Sequence, residues 1–150
     1  MMKTGTILTK NLRVLLVDDH PRNRNSIAKL LGAHNIKVIG EASDGLEAAE
    51  KARQLNPDII LMDIKMPRCN GLEATRLIKT EMPQTKIIIL TASGDEYIFA
   101  AMESGADGFL TKLCSSEELV TLMFAVAKGE CICLGGDLGQ HQIQSNKAER

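Results

Sequence analysis

Tryptophan is absent from this 150-residue chain, which carries only one tyrosine and three phenylalanines. Without an aromatic platform there is nothing for bases to stack on, so single-strand nucleic-acid binding of that kind is excluded. A charge excess is missing too: 18 Lys and Arg face 19 Asp and Glu, a formal net charge of −1. No global field therefore draws the chain to DNA or to an anionic membrane. No apolar run approaches the length that spans a bilayer. The opening "MMKTGTILTK" lacks an apolar core followed by a small-residue cleavage site, so no signal peptide is read and a cytoplasmic location is expected. The four cysteines, Cys69, Cys114, Cys131 and Cys133, form no CxxC pair and have no histidine at zinc-finger spacing. They read as reduced thiols with no part in the function. Neither GxGxxG nor GxxxxGK[ST] occurs, which removes the commonest nucleotide-binding loops.

What is present is a regular alternation. Continuous apolar runs stand at 12–17 ("LRVLLV"), 58–62 ("DIILM"), 86–90 ("KIIIL") and 108–110 ("GFL"), with a weaker one at 36–42. Unbroken runs, as opposed to alternating ones, suit strands covered on both faces, as in a parallel sheet. Between them, helical spacing predicts helices over 22–33, 45–55, 71–81, 95–104 and 116–128, with Pro21 at a helix start and Gly32, Gly105 and Gly129 near helix ends. Five such units predict a doubly wound α/β domain over 11–128, flavodoxin-like, with a five-stranded parallel sheet in the order 2-1-3-4-5. Residues 1–10 read as an N-terminal arm. Residues 129–150, rich in Gly and Gln, read as a flexible tail or the start of a linker.

The apolar runs end on polar residues: Asp18 and Asp19 after the first strand, Asp63 after the third, Thr91 after the fourth, Thr111 and Lys112 after the fifth. In an open parallel sheet, ligands bind beyond the carboxyl ends of the strands, so these groups converge on one rim. Three neighbouring carboxylates repel one another. A divalent cation resolves that conflict, and an all-oxygen set suits Mg²⁺. Lys112 and the Thr91 hydroxyl add a positive charge and a donor, the equipment of phosphoryl transfer with one carboxylate as nucleophile. Singly, each has a plainer account: Asp19 as a helix N-cap, Thr91 as a turn residue, Lys112 as a solvated charge. Jointly, the right types at four strand ends outweigh those accounts.

The stretches "VLLVDDH", "DIILMDIKMPRCNGLEA", "IIILTAS" and "GADGFLTK" together resemble the receiver domain of two-component response regulators, in particular the NarL/FixJ type that usually precedes a LuxR-type helix-turn-helix. The resemblance implies that Asp63 is the phosphoacceptor, taking a phosphoryl group from a sensor histidine kinase. It implies Mg²⁺ bound directly by Asp19 and Asp63, by Asp18 through water, and by the backbone carbonyl of Lys65. Lys112 would pair with the phosphoryl oxygens. Thr91 and Phe109 would form the switch, Thr91 moving toward the phosphoryl group and Phe109 turning inward, with the signal leaving through the fourth helix, fifth strand and fifth helix. A homodimer on phosphorylation is expected. His20, Pro21 and Arg22 would line the approach of the kinase, which would dock at the first helix and the loop after Lys112.

Three features depart from the common pattern. Leu113 follows Lys112 where many receivers have a cis proline, so a trans bond is expected. Phe109 stands for the common tyrosine. Lys65 and Ser93 flank the pocket and are expected to tune phosphoryl lifetime. Two rival readings are a receiver-like interaction module that takes no phosphate and a Mg²⁺-dependent phosphatase of the haloacid-dehalogenase type. The phosphatase fits poorly, because that fold places its aspartates at alternate positions and here Asp18 and Asp19 are adjacent. No helix-turn-helix pattern occurs up to Arg150, so DNA binding is expected only through an output domain absent from this chain, and no membrane contact is expected.

Overall fold

A computed structural model describes residues 12–92 and 95–134. Strands β1 (Arg13–Val17), β2 (Lys37–Ala42), β3 (Ile59–Met62), β4 (Lys86–Thr91) and β5 (Gly108–Thr111) alternate with helices α1 (Pro21–Ala33), α2 (Gly45–Leu55), α3 (Gly71–Glu81), α4 (Ile98–Glu103) and α5 (Ser116–Ala127). All strand pairs are parallel, and the expected order 2-1-3-4-5 is present. Every residue of β3 and β5 is buried, as the unbroken apolar runs require, whereas β2 at the edge is only partly covered.

Successive side chains alternate between the two faces of the sheet, and this alternation sorts the core into two layers. Leu15, Val17, Ile60, Met62, Ile87, Ile89 and Phe109 pack with residues of α2, α3 and α4, among them Ala48, Ala52, Ile78 and Ala101. Val14, Leu16, Ile59, Leu61, Ile88, Leu90 and Leu110 pack with Leu31 of α1 and with Leu119, Leu122, Met123 and Val126 of α5. Burying each large aliphatic side chain contributes about 1.5–3 kcal/mol before the entropy of ordering is counted.

Local chemistry starts the helices where the sequence places them. Asn70 and Glu73 form a reciprocal cap at the start of α3, and Ser115 and Glu118 do the same for α5. The fourth helix departs from expectation. Residues Asp95–Tyr97 form a 3₁₀ turn, and α4 begins only at Ile98 without a side-chain cap. The sheet also continues past β5. Ile132–Leu134 form a sixth strand, β6, parallel to β5 with Gly108 opposite Ile132. The reading of 129–150 as a tail is thus corrected for these residues: Cys131 and Ile132 are buried against the domain, and Ile132 N donates to Asp107 O. Residues 1–10 and 135–150, to which the arm and the rest of the tail were assigned, lie outside the described residues. No cis peptide bond occurs among the described residues, as expected for the Lys112–Leu113 link.

Candidate functional site

The register of the sheet builds the site. Val17 and Met62 are paired across β1 and β3, so the next residues, Asp18 and Asp63, leave their strands side by side. Asp63 N donates to Val17 O at 3.0 Å, and Asp18 N to Ala42 O at 3.0 Å. Thr91 and Thr111 close β4 and β5 as a pair, and Lys112 N donates to Thr91 O at 2.8 Å. Four neighbouring strands thereby deliver the predicted groups to one rim.

Lys112 sits between two carboxylates, with Nζ 2.5 Å from Asp18 Oδ2 and 3.2 Å from Asp63 Oδ2. Its side chain is only 19% exposed, so it is not a solvated surface charge. Asp63 is buried, its Oδ1 accepting from Ile64 N at 2.8 Å. Burial pushes the Asp63 carboxyl above its ordinary range. Lys112 opposes that rise and the Asp18 charge adds to it. For Lys112, burial alone would lower the pKa, but the Asp18 hydrogen bond and the charges of Asp63 and Asp18 outweigh it and hold the ammonium above its usual value.

Asp18 is almost wholly enclosed. Oδ1 accepts from His20 N at 2.9 Å, Oδ2 lies 3.4 Å from Asn23 Nδ2, and its backbone carbonyl accepts from Arg24 Nη1 at 2.6 Å. Arg24 also donates to Glu41 Oε1 at 2.7 Å, which ties the end of β1 to β2. Asp19 does not cap α1; the N-cap position is His20, with no side-chain cap bond. Asp19 Oδ1 is buried and makes no hydrogen bond among the described residues, with His20 Nδ1 lying 3.1 Å from it.

That orphaned carboxylate oxygen tests the fit of a cation. A buried anionic oxygen without a donor is costly, and a hard divalent ion satisfies it where a further hydrogen bond does not. Asp18, Asp19 and His20 offer ligand atoms within 4.8 Å of one another. Asp63 is not part of that group; its two oxygens meet Ile64 N and Lys112 Nζ. An oxygen-rich set of this kind suits Mg²⁺. Beside it an open depression of about 500 Å³ is lined by Asp19, Lys65, Met66, Asn70, Leu72 and Tyr97. The Lys65 ammonium lies 5.9 Å from the centre of the Tyr97 ring.

The remaining expected residues fall as follows. Thr91 is buried at the end of β4. Phe109 sits inward, fully buried in the layer that holds Ile89 and Ala101. Leu113 is 90% exposed directly after Lys112. Ser93 lies outside the described residues. The sequence reading missed Arg24, which steadies the Asp18 backbone, and the closeness of the His20 imidazole to the carboxylates. Only the proximity of "HPRNR" to "DD" could have pointed to either.

A family model described as the response regulator receiver domain matches residues 14–124. The chain is 43% identical over 121 residues to the transcriptional regulatory protein LiaR of Bacillus subtilis (strain 168), covering 79% of this chain and 57% of LiaR. It superposes with a TM-score of 0.80 and 35% identity on a two-component response regulator of the LuxR family from Aurantimonas sp. SI85-9A1, covering 87% of this chain and 94% of that one. A chain of the CheX–CheY–BeF3–Mg+2 complex from Borrelia burgdorferi matches with a TM-score of 0.72 and 25% identity, covering 77% and 88%. This chain spans a little over half the length of the curated relatives it matches.

Proposed function

The chain belongs to the response regulator receiver family, of the type found in LuxR-family regulators, and from that premise we propose that it accepts a phosphoryl group on Asp63. An oxygen of Asp63 attacks the phosphorus of a phosphohistidine on a sensor histidine kinase. The new O–P bond forms as the N–P bond breaks, and the departing imidazole keeps the electron pair. No proton has to be removed from a carboxylate nucleophile, so none of the neighbours is assigned as a base.

Asp18, Asp19 and Asp63, with the Lys65 backbone carbonyl, would hold Mg²⁺. When bound, the ion supplies the charge that lets three carboxylates stay ionised together and that offsets the phosphoryl oxygens. Lys112 shares its ammonium between Asp18 and Asp63 and is placed to follow the phosphoryl group. The Thr91 hydroxyl, one strand away, donates to the same group. Phe109 transmits the change, since it is packed in one layer with Ala101 of α4. A two-state shift of this kind needs contacts that only the phosphorylated form makes. The outlet is the α4–β5–α5 face, serving a homodimer, with DNA reached through an output domain. The Borrelia complex, whose description includes BeF3 and Mg+2, is a structural neighbour that supports both the metal and the phosphoryl site.

The observation that carries this reading is the imbalance at Asp63: a buried carboxylate with a raised pKa, sharing one lysine with Asp18, beside an Asp19 oxygen that has no donor. The test is the intact mass after incubation with Mg²⁺ and acetyl phosphate. A single stoichiometric adduct is expected in the wild-type chain and none in Asp63→Asn or without Mg²⁺. Continuous turnover of the phosphodonor would favour the phosphatase instead. No adduct, with no response to beryllofluoride, would leave an interaction module.

A further inference from the structure

The loop between β3 and α3, residues 63–70, carries Lys65, and its ends are fixed by backbone contacts. Gly71 N donates to Ile64 O at 2.8 Å. A Cβ on Gly71 would lie 1.8 Å from Asp63 O, so only glycine permits this approach. The middle of the loop is held from elsewhere, by the start of α2. Gly45 N donates to Cys69 O at 2.9 Å, and a Cβ on Gly45 would lie 2.6 Å from that same oxygen. Asp44, 1% exposed, places Oδ1 on Glu47 N at 2.9 Å as the cap of α2 and pairs through Oδ2 with the guanidinium of Arg68.

Arg68 makes that pair from an unusual backbone. Its φ is +68°, in the left-handed region that side-chain-bearing residues seldom adopt, and glycine does not replace it here. Its side chain is 67% exposed while Asp44 is 1% exposed, so losing Arg68 costs stability chiefly through the buried carboxylate oxygen it leaves without that partner. What the contact does is local: it fixes the crest of the loop to a buried carboxylate on a neighbouring helix. We propose that Arg68 is a positioning residue for the Mg²⁺ site, its pairing with Asp44 holding the loop so that the Lys65 carbonyl is presented to the metal. This inference rests on the assignment of Asp18, Asp19, Asp63 and Lys65 to Mg²⁺.

The experiment is a Mg²⁺ titration of the whole chain followed by backbone amide chemical shifts, on wild type, Arg68→Asn and Arg68→Lys, with thermal unfolding of each in the absence of Mg²⁺. Asparagine tolerates the left-handed backbone but is too short to reach Asp44. Outer-sphere partners of metal ligands typically change affinity by about tenfold or more. Arg68 acts one step further out through a half-exposed pair, so Arg68→Asn should raise half-saturating Mg²⁺ about threefold to tenfold. The loss of affinity should exceed what any fall in its unfolding midpoint accounts for, and Arg68→Lys should recover most of the affinity. With acetyl phosphate, Arg68→Asn should form adduct slowly at limiting Mg²⁺ and at the wild-type rate when Mg²⁺ saturates. Unchanged half-saturation in Arg68→Asn beside a normal wild-type response overturns the role of Arg68 alone. Affinity lost only in step with the melting point overturns it as well, by reducing Arg68 to a structural contact. A wild-type chain with no Mg²⁺ response overturns the assignment of the site, and this inference with it.

Discussion

Two lysines lie low in this domain, at opposite rims of the sheet, and they meet different company. Lys79, on α3, donates to Pro83 O, Thr85 O and Asp107 Oδ2, each at 2.9 Å. Asp107 Oδ2 in turn accepts from Ile87 N at 2.9 Å, so Lys79 joins a network that knits α3 to the starts of β4 and β5. Lys112, at the carboxyl ends of the strands, is divided between Asp18 and Asp63, and beside it Asp19 Oδ1 has no donor among the described residues. In the first network a lysine meets its own carboxylate; in the second, one lysine is shared by two carboxylates, and a third lies against His20. A balanced buried pair is what stability requires. An unbalanced one is what the proposed Mg²⁺ and phosphoryl group would complete, and on that reading the difference separates scaffold from site.

The comparison can be broken most directly at Lys79. Lys79→Met takes the lysine from the buried Asp107, and removing one partner of a buried pair costs about 3–5 kcal/mol; urea unfolding should show a loss of that size, the same with and without Mg²⁺. The matching change at the other rim, Lys112→Met, should show a deficit that shrinks as Mg²⁺ is added, because the ion supplies the charge that the lysine did. Equal Mg²⁺ independence at both rims would mean that the two networks are alike. A second test adds the ion itself. At ten times its Kd, Mg²⁺ should stabilise the wild-type chain by about 1.4 kcal/mol, and Asp19→Asn should lose most of that gain while keeping its stability in the absence of Mg²⁺. A gain of the same size in the variant would remove Asp19 from the metal site.

The smallest effect concerns Asp63 and pH. Because burial, with the Asp18 charge, raises the Asp63 carboxyl above its ordinary value, the folded chain holds that proton more tightly than the unfolded chain does. Its contribution is therefore most favourable below the ordinary carboxylate pKa and is withdrawn as pH rises through the raised value. Asp63→Asn removes this dependence, so without Mg²⁺ the variant should be the more stable chain at pH 7, with the advantage fading toward pH 3. Parallel pH profiles for the two chains would show that Lys112 already balances Asp63, and the contrast between the rims would lose its sharpest point.

Much of this was legible in the chain because a parallel strand buried on both faces must be apolar throughout, so that its end is marked by the first polar residue. Asp18, Asp63, Thr91 and Lys112 were found in that way, and each lies on the rim the pattern assigned to it. Less was legible where no such constraint acts. Residues 132–134 have no recognisable strand signature in their Gly-rich surroundings, and their place in the sheet depends on the pairing edge that β5 offers. The late start of α4 reflects the lack of a capping side chain before Ile98, which the apolar spacing of 95–104 does not report. Nothing in the sequence singles out Arg24 or Arg68, since nothing local tells an arginine that pairs across the fold from one that faces water.

The sequence by itself determined the alternation of strand and helix, the two-sided burial of the sheet and the kinds of group that end each strand, because periodicity and polarity act over a few residues. Only the tertiary structure decided how charge is shared at the rim. Lys112 and Asp18 are 94 residues apart in the chain, and Arg68 and Asp44 are 24 apart. Which carboxylate receives a lysine, which is left without a donor, and which loop an arginine ties down are set by strand order and register, for electrostatics responds to distance in space and to burial, neither of which is written locally in the chain.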